Sequence, residues 1–144
     1  MKNQTTESIV ERSIIVELWT ARVPRAGGFA EHHWLEINRA SQIDRWEVWQ
    51  EANHGGESWG HVHRNLLAPS EGVGNGPGRL LHRWTDLIAS ELARRIESTP
   101  TEYPWRDWYR VVPGPNSNTY VQWIIGEYYR LGWRGIGRGY ASRG

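Results

Sequence analysis

The chain has 144 residues, 38% of them hydrophobic, with 17 basic side chains against 16 acidic ones and no cysteine. That length suits one domain whose core is large enough to dispense with disulfide or metal staples. Near-neutral charge argues against a protein built mainly as a polyanion binder, and the missing thiols exclude disulfides, thiolate metal sites and a cysteine nucleophile.

In chain order, residues 1–12 read as a polar lead without the apolar run of a signal peptide, and residues 13–144 as a single domain ending in a Gly/Arg-rich tail. No stretch approaches the roughly 18 apolar residues of a membrane span, so a cytoplasmic protein is expected. Residues 13–23 are rich in β-branched side chains and predict a first strand, broken by residues 24–28. Residues 32–38 alternate, placing His33, Leu35 and Ile37 on one face and His32, Trp34 and Glu36 on the other. Residues 45–50 predict a third strand that returns antiparallel after a turn near Ser41. Gly, His and Asn dominate residues 52–78, which predict loops with one short strand at 60–64.

Helical spacing of Leu80, Leu81, Trp84, Leu87, Ile88, Leu92 and Ile96 predicts a long amphipathic helix over 80–98, stopped by Pro100. Residues 103–112 are expected to be extended. A second helix is expected from about Asn116, carrying Tyr120, Val121, Trp123, Ile124 and Tyr128 inward. Strands followed by helices predict an α+β domain with two main helices packed on one antiparallel sheet. Ten tryptophans against one phenylalanine are expected to fill this core and line a groove, since no basic context surrounds them.

Chemistry concentrates at the start of the second helix. A rigid Pro113-Gly114-Pro115 turn delivers Asn116, Ser117, Asn118 and Thr119 onto an apolar helical pattern. These residue types cap helices, and they also place a hydroxyl among free backbone amides. His54, His61 and His63 have spacing that would suit zinc, but loop histidines facing solvent are the commoner reading, and no metal or other cofactor is expected. Residues 72–78 are Gly-rich, yet they lack lysine and Pro77 removes a donor; a connection or lid beside the site is expected there rather than a phosphate loop. Arg and Gly in the tail allow a weaker alternative of RNA binding.

Several segments, taken in order, resemble an uncharacterised bacterial family, domain of unknown function 3750. They are Ala21-Arg22, Phe29-Ala30-Glu31-His32-His33-Trp34, Arg45-Trp46-Glu47-Val48, Tyr103-Pro104, Pro113-Gly114-Pro115-Asn116-Ser117-Asn118-Thr119-Tyr120 and Ile136-Gly137-Arg138-Gly139-Tyr140. The family shows His-Thr-Trp where this chain has His32-His33-Trp34, which leaves two histidines to choose between; His32 is preferred. More distantly, an early strand histidine followed by Asn-nucleophile-x-x-aromatic at a helix start resembles the circularly permuted papain-like hydrolases of NlpC/P60 type. In those the nucleophile is cysteine, and Ser117 stands at that position here.

The resemblance implies a papain-like architecture and a catalytic set of Ser117 as nucleophile and His32 as base. Glu47 is expected to orient the histidine, with Glu51 as second choice, because a hairpin turning near Ser41 puts either opposite the face carrying His32. Asn116, Asn118, Thr119 and Trp34 are expected to bind substrate or to stabilise an oxyanion. The expected activity is hydrolysis or acyl transfer at an amide or ester of a small-molecule or peptide ligand. The alternative is a non-catalytic binding module using the same Trp-rich groove.

Overall fold

A computed structural model describes residues 13–24 and 29–144; the polar lead and residues 25–28 of the expected break lie outside the described residues. Six strands form one antiparallel sheet: β1 (Ile15–Arg22), β2 (Glu31–Arg39), β3 (Gln42–Val48), β4 (Glu57–Trp59), β5 (Val62–Arg64) and β6 (Arg79–Trp84). Their order across the sheet is β4-β5-β3-β2-β1-β6. The first three strands follow the alternation in the sequence. Arg39 pairs with Gln42, so β2 and β3 form a hairpin whose two turn residues are Ala40 and Ser41. The short strand expected at 60–64 is the second arm of a smaller hairpin, β4–β5.

Two helices follow, α1 (Asp86–Glu102) and α2 (Ser117–Ile125). The expected helix over 80–98 is corrected at both ends. Leu80, Leu81 and Trp84 belong to β6, which covers the open edge of β1 with a register shift beside Leu18 and Trp19. Edge pairing satisfies backbone groups that the helical periodicity of those apolar residues does not reveal. At the other end Pro100 lies inside the last turn of α1 instead of stopping it. The carbonyl of Ile96, which Pro100 has no N–H to bond, accepts from the Thr99 hydroxyl at 2.7 Å. Leu87, expected inward, is 83% exposed, whereas Ala89, Leu92, Ala93 and Ile96 are buried.

Packing of α1 on β1, and of α2 on β2 and β3, buries the apolar face of the sheet. Val16, Leu18, Leu35, Ile37, Trp46, Val48 and Val62 meet Leu92, Ile96, Tyr120, Val121 and Ile124 in one core. Tyr128, expected inward, is partly exposed in a 3-10 turn after α2. Residues 103–112, expected extended, form turns and bends without a strand.

The opposite face differs in kind. Register brings Glu17 beside Glu36, Trp19 beside Trp34, Glu36 beside Arg45 and Glu47 beside His63. The segment between β5 and β6 lies across this face. Its Ala68 and Glu71 carbonyls accept from the Arg45 guanidinium at 3.0 and 2.6 Å. The Ser70 amide donates to Glu36 at 2.7 Å.

Candidate functional site

Alternation along β2 sends neighbouring histidines to opposite faces, and each finds a different partner. On the polar face, His32 Nε2 lies 2.8 Å from Glu47 Oε1, both side chains being buried. Arg45, two residues before Glu47 on β3 and so on the same face, donates through Nε to Oε2 at 2.6 Å and through Nη2 to Oε1 at 3.0 Å. Burial alone would raise the Glu47 carboxyl. The hydrogen bonds and charges of His32 and Arg45 outweigh it and hold the group below the ordinary carboxylate value. An ionised Glu47 only accepts, so His32 donates from Nε2, and in a neutral ring Nδ1 is the nitrogen with the lone pair. Among the described residues nothing hydrogen-bonds that Nδ1.

The ring itself is held by aromatics. Trp34 stacks on His32 with centroids 5.7 Å apart, and Trp49 meets it edge-on at 5.7 Å. Trp34 in turn lies 3.8 Å beneath the Arg45 guanidinium and donates to Glu36 at 2.7 Å. Trp34, expected to touch a ligand, is instead fully buried, and its place is to support His32 and Arg45 from within.

On the apolar face, His33 donates its backbone N–H to Asn118 Oδ1 at 3.1 Å, and its Nδ1 lies 2.9 Å from the same oxygen. The Asn118 Nδ2 group donates to the carbonyls of Glu31 and Ile136, which fixes Oδ1 as the acceptor and Nδ1 of His33 as protonated. Burial lowers this histidine to about 4, so it is neutral near pH 7. Asn118, expected in an oxyanion or binding role, thus ties α2 to β2 and to the tail.

The start of α2 divides its work residue by residue. Asn116 is the N-cap: its side-chain oxygen accepts from the amides of Asn118 and Thr119 at 2.9 and 3.2 Å, while the Thr119 hydroxyl accepts from the Asn116 amide at 3.0 Å. The two amides expected to form an oxyanion hole are therefore engaged by the cap. The cap leaves out the Ser117 amide, and the Ser117 hydroxyl takes no part in it. Ser117 and His32 line one cleft of about 440 Å³, whose walls include Val23, Val73, Trp49 and Tyr109. Among the described residues no hydrogen bond joins Ser117 to His32.

The tail seals this helix start. Ile136 O accepts from both Asn116 and Asn118, and Gly137 O accepts from Thr119 at 2.7 Å. Gly137 sits at φ +94°, and a Cβ there would lie 2.2 Å from Asn116 Nδ2, so only glycine fits. The 136–140 block, also read as part of a nucleic-acid-binding tail, is packed structure with Tyr140 buried.

Other sequence expectations fall elsewhere. Glu51, the second choice of acid, pairs with His54 Nδ1 at 2.6 Å on the surface. Both ring nitrogens of His63 are used by backbone, Nδ1 toward His61 O and Nε2 accepting from the His54 amide. Among the described residues no group of three or more His, Asp or Glu is placed to hold a metal, and no helix is long and apolar enough to cross a membrane. Sequence reasoning missed Arg45 altogether. The signal is there: Arg45 and Glu47 at i and i+2 on a strand share a face with His32 and Trp34.

A family model described as "Protein of unknown function (DUF3750)" matches residues 13–140, and the chain belongs to that family. It matches no curated protein and no solved structure.

Proposed function

We propose that this member of the DUF3750 family is a hydrolase or acyltransferase that opens an amide or ester bond through Ser117, His32 and Glu47, on an architecture of permuted papain-like type. The observation that carries the reading is the buried 2.8 Å contact between His32 Nε2 and Glu47 Oε1, with the ring bordering the cleft that Ser117 also lines. A structural ion pair needs no cleft, and a capping serine needs no histidine.

The chemistry follows from the tautomer. Glu47, ionised and held by Arg45, keeps the imidazole proton on Nε2, leaving Nδ1 to take the proton of Ser117 Oγ as that oxygen bonds to the substrate carbonyl carbon. The Ser117 amide, at the positive end of α2 and outside the capping box, is the backbone donor left for the oxyanion. Collapse of the tetrahedral intermediate breaks the bond to the leaving amine or alcohol, which receives the proton from His32. Water then releases the acyl group in hydrolysis, and a second nucleophile accepts it in transfer.

A non-catalytic binding module on the same scaffold is the second reading. It is favoured by the engagement of the Asn118 and Thr119 amides with Asn116 and by the missing hydrogen bond between Ser117 and His32. Intact-mass labelling with a small fluorophosphonate separates the two. The catalytic reading expects one adduct on the wild type, lost in both Ser117→Ala and His32→Ala. Folded wild type that takes no adduct, or an adduct retained in Ser117→Ala, overturns it in favour of the binding module.

A further inference from the structure

At the same end of the sheet as the proposed catalytic cleft lies a second one of about 560 Å³, lined by Arg22, Arg79, Arg134, Glu31 and residues 75–78. Both lie where β1 finishes and β2 begins: Arg22, Glu31 and Asn75 line one, and Val23, His32 and Val73 the other, with Glu31 and His32 turned to opposite faces there. Charge here is unbalanced, three guanidiniums against one carboxylate. Glu31 is moreover poorly shared. Its Oε2 accepts from Thr20 at 3.0 Å, while Arg79 Nη2 and Arg134 Nη1 both turn toward Oε1 at 3.6 and 4.0 Å, beyond hydrogen-bond length. Among the described residues nothing accepts a hydrogen bond from the guanidinium of Arg22, Arg79 or Arg134. Among the described residues, most surface arginines that line no cleft do find such partners, as Arg39 does on Glu97 and Arg83 on Glu17.

We infer that this cleft is a subsite for an oxyanion group, a carboxylate or a phosphate, carried by the substrate that reacts at Ser117. Planar guanidinium forks match either oxyanion bidentately and stay charged at any working pH. The Gly-rich wall suits an anion as well. Gly76 sits at φ +95° with open space where a Cβ would be, so backbone can approach a ligand closely. Positive charge thus comes from strands β1 and β6 and from the tail, which answers the missing lysine that spoke against a phosphate loop. The substrate assignment rests on the serine-hydrolase reading; the anion site does not.

The test is an NMR titration of the full chain, following backbone amides with inorganic phosphate and, separately, with acetate. Saturating shifts at Gly76, Gly78, Arg79 and Glu31 in the millimolar range are expected for at least one anion. Affinity should fall about tenfold in Arg79→Gln and in Arg134→Gln, each losing charge-assisted hydrogen bonds. It should stay unchanged in Arg94→Gln, an exposed position on α1. Phosphate saturating alone assigns a phosphate group, and acetate saturating alone a carboxylate. Failure of both to saturate, or equal binding by all three folded variants, overturns the subsite. Ser117→Ala should bind the anion as wild type does. Anion binding without a fluorophosphonate adduct would leave this site standing and remove the hydrolase, while an adduct without anion binding would do the reverse.

Discussion

The two faces of the sheet are built from the same strands and are buried alike, yet they are stabilised differently. On the helix side Val16, Leu18, Leu35 and Val62 are fully buried and contribute through apolar area removed from water. On the other side Glu36, Arg45, Glu47 and His63 are equally inaccessible, where each ion loses several kcal/mol of hydration that only good geometry and complete hydrogen bonding restore. Arg45 meets that condition, with two carbonyls, a carboxylate and a tryptophan face around it. An apolar row would hold the same loop down at less cost. On the proposed catalytic reading, the polar row is a device that fixes the His32 ring beside the cleft it lines.

The comparison breaks most readily at Arg45. Arg45→Met leaves the Glu47 carboxylate buried beside His32 without its bidentate partner, and a loss of ~3–5 kcal/mol is expected, read from urea unfolding midpoints. Removing both charges in Arg45→Met/Glu47→Leu should recover most of that loss while abolishing any fluorophosphonate adduct. Should the single variant prove neutral, the polar face is not a paired, desolvated network, and the contrast between the faces fails.

Acid sharpens the contrast from the helix side, where a histidine intrudes on apolar packing. Burial holds His33 near 4 against an ordinary 6.5, so between these values the unfolded chain binds the proton and the folded one does not. Stability from neutral His33 is therefore whole above pH 6.5 and lost as pH falls toward 4, with roughly 2 kcal/mol gone by about pH 5. His63, also lowered by burial, pulls the same way, whereas Glu36, raised by burial, favours the folded state on the acid side. His33→Gln should remove its share of the drop between about pH 7 and about pH 5, whatever its effect at neutral pH. An undiminished drop would assign the acid sensitivity to another group.

Much of this is legible in the sequence wherever a local pattern decides the structure. Alternation in 32–38 places His32 and His33 back to back, and hairpin geometry puts Glu47 opposite the face that carries His32. The strand 79–84 is illegible because its apolar residues fit a helical period as well as an edge strand; the open edge of β1, a partner far away in sequence, decides between them. Arg45 escapes notice because an arginine is ordinarily solvated, and its burial depends on carbonyls of a loop more than twenty residues on. At the start of α2 the residue types announce a cap, but not which of four polar residues serves.

That last distinction gives the smaller effects. Asn116→Ala removes the acceptor for two helix amides and the donor to Val111 and Ile136, and about 1–2 kcal/mol of stability should go with it. Ser117, one position on, contributes no side-chain hydrogen bond to the cap, so Ser117→Ala should change the unfolding free energy by less than about 0.5 kcal/mol. Its value lies in that near-silence. If the hydroxyl is there for chemistry, the variant keeps its fold, its cap and its anion affinity and loses the fluorophosphonate adduct completely. If the variant is instead destabilised as much as Asn116→Ala, Ser117 is a structural residue of the helix start. The pairing of His32 with Glu47 would then need an explanation that does not pass through a nucleophile.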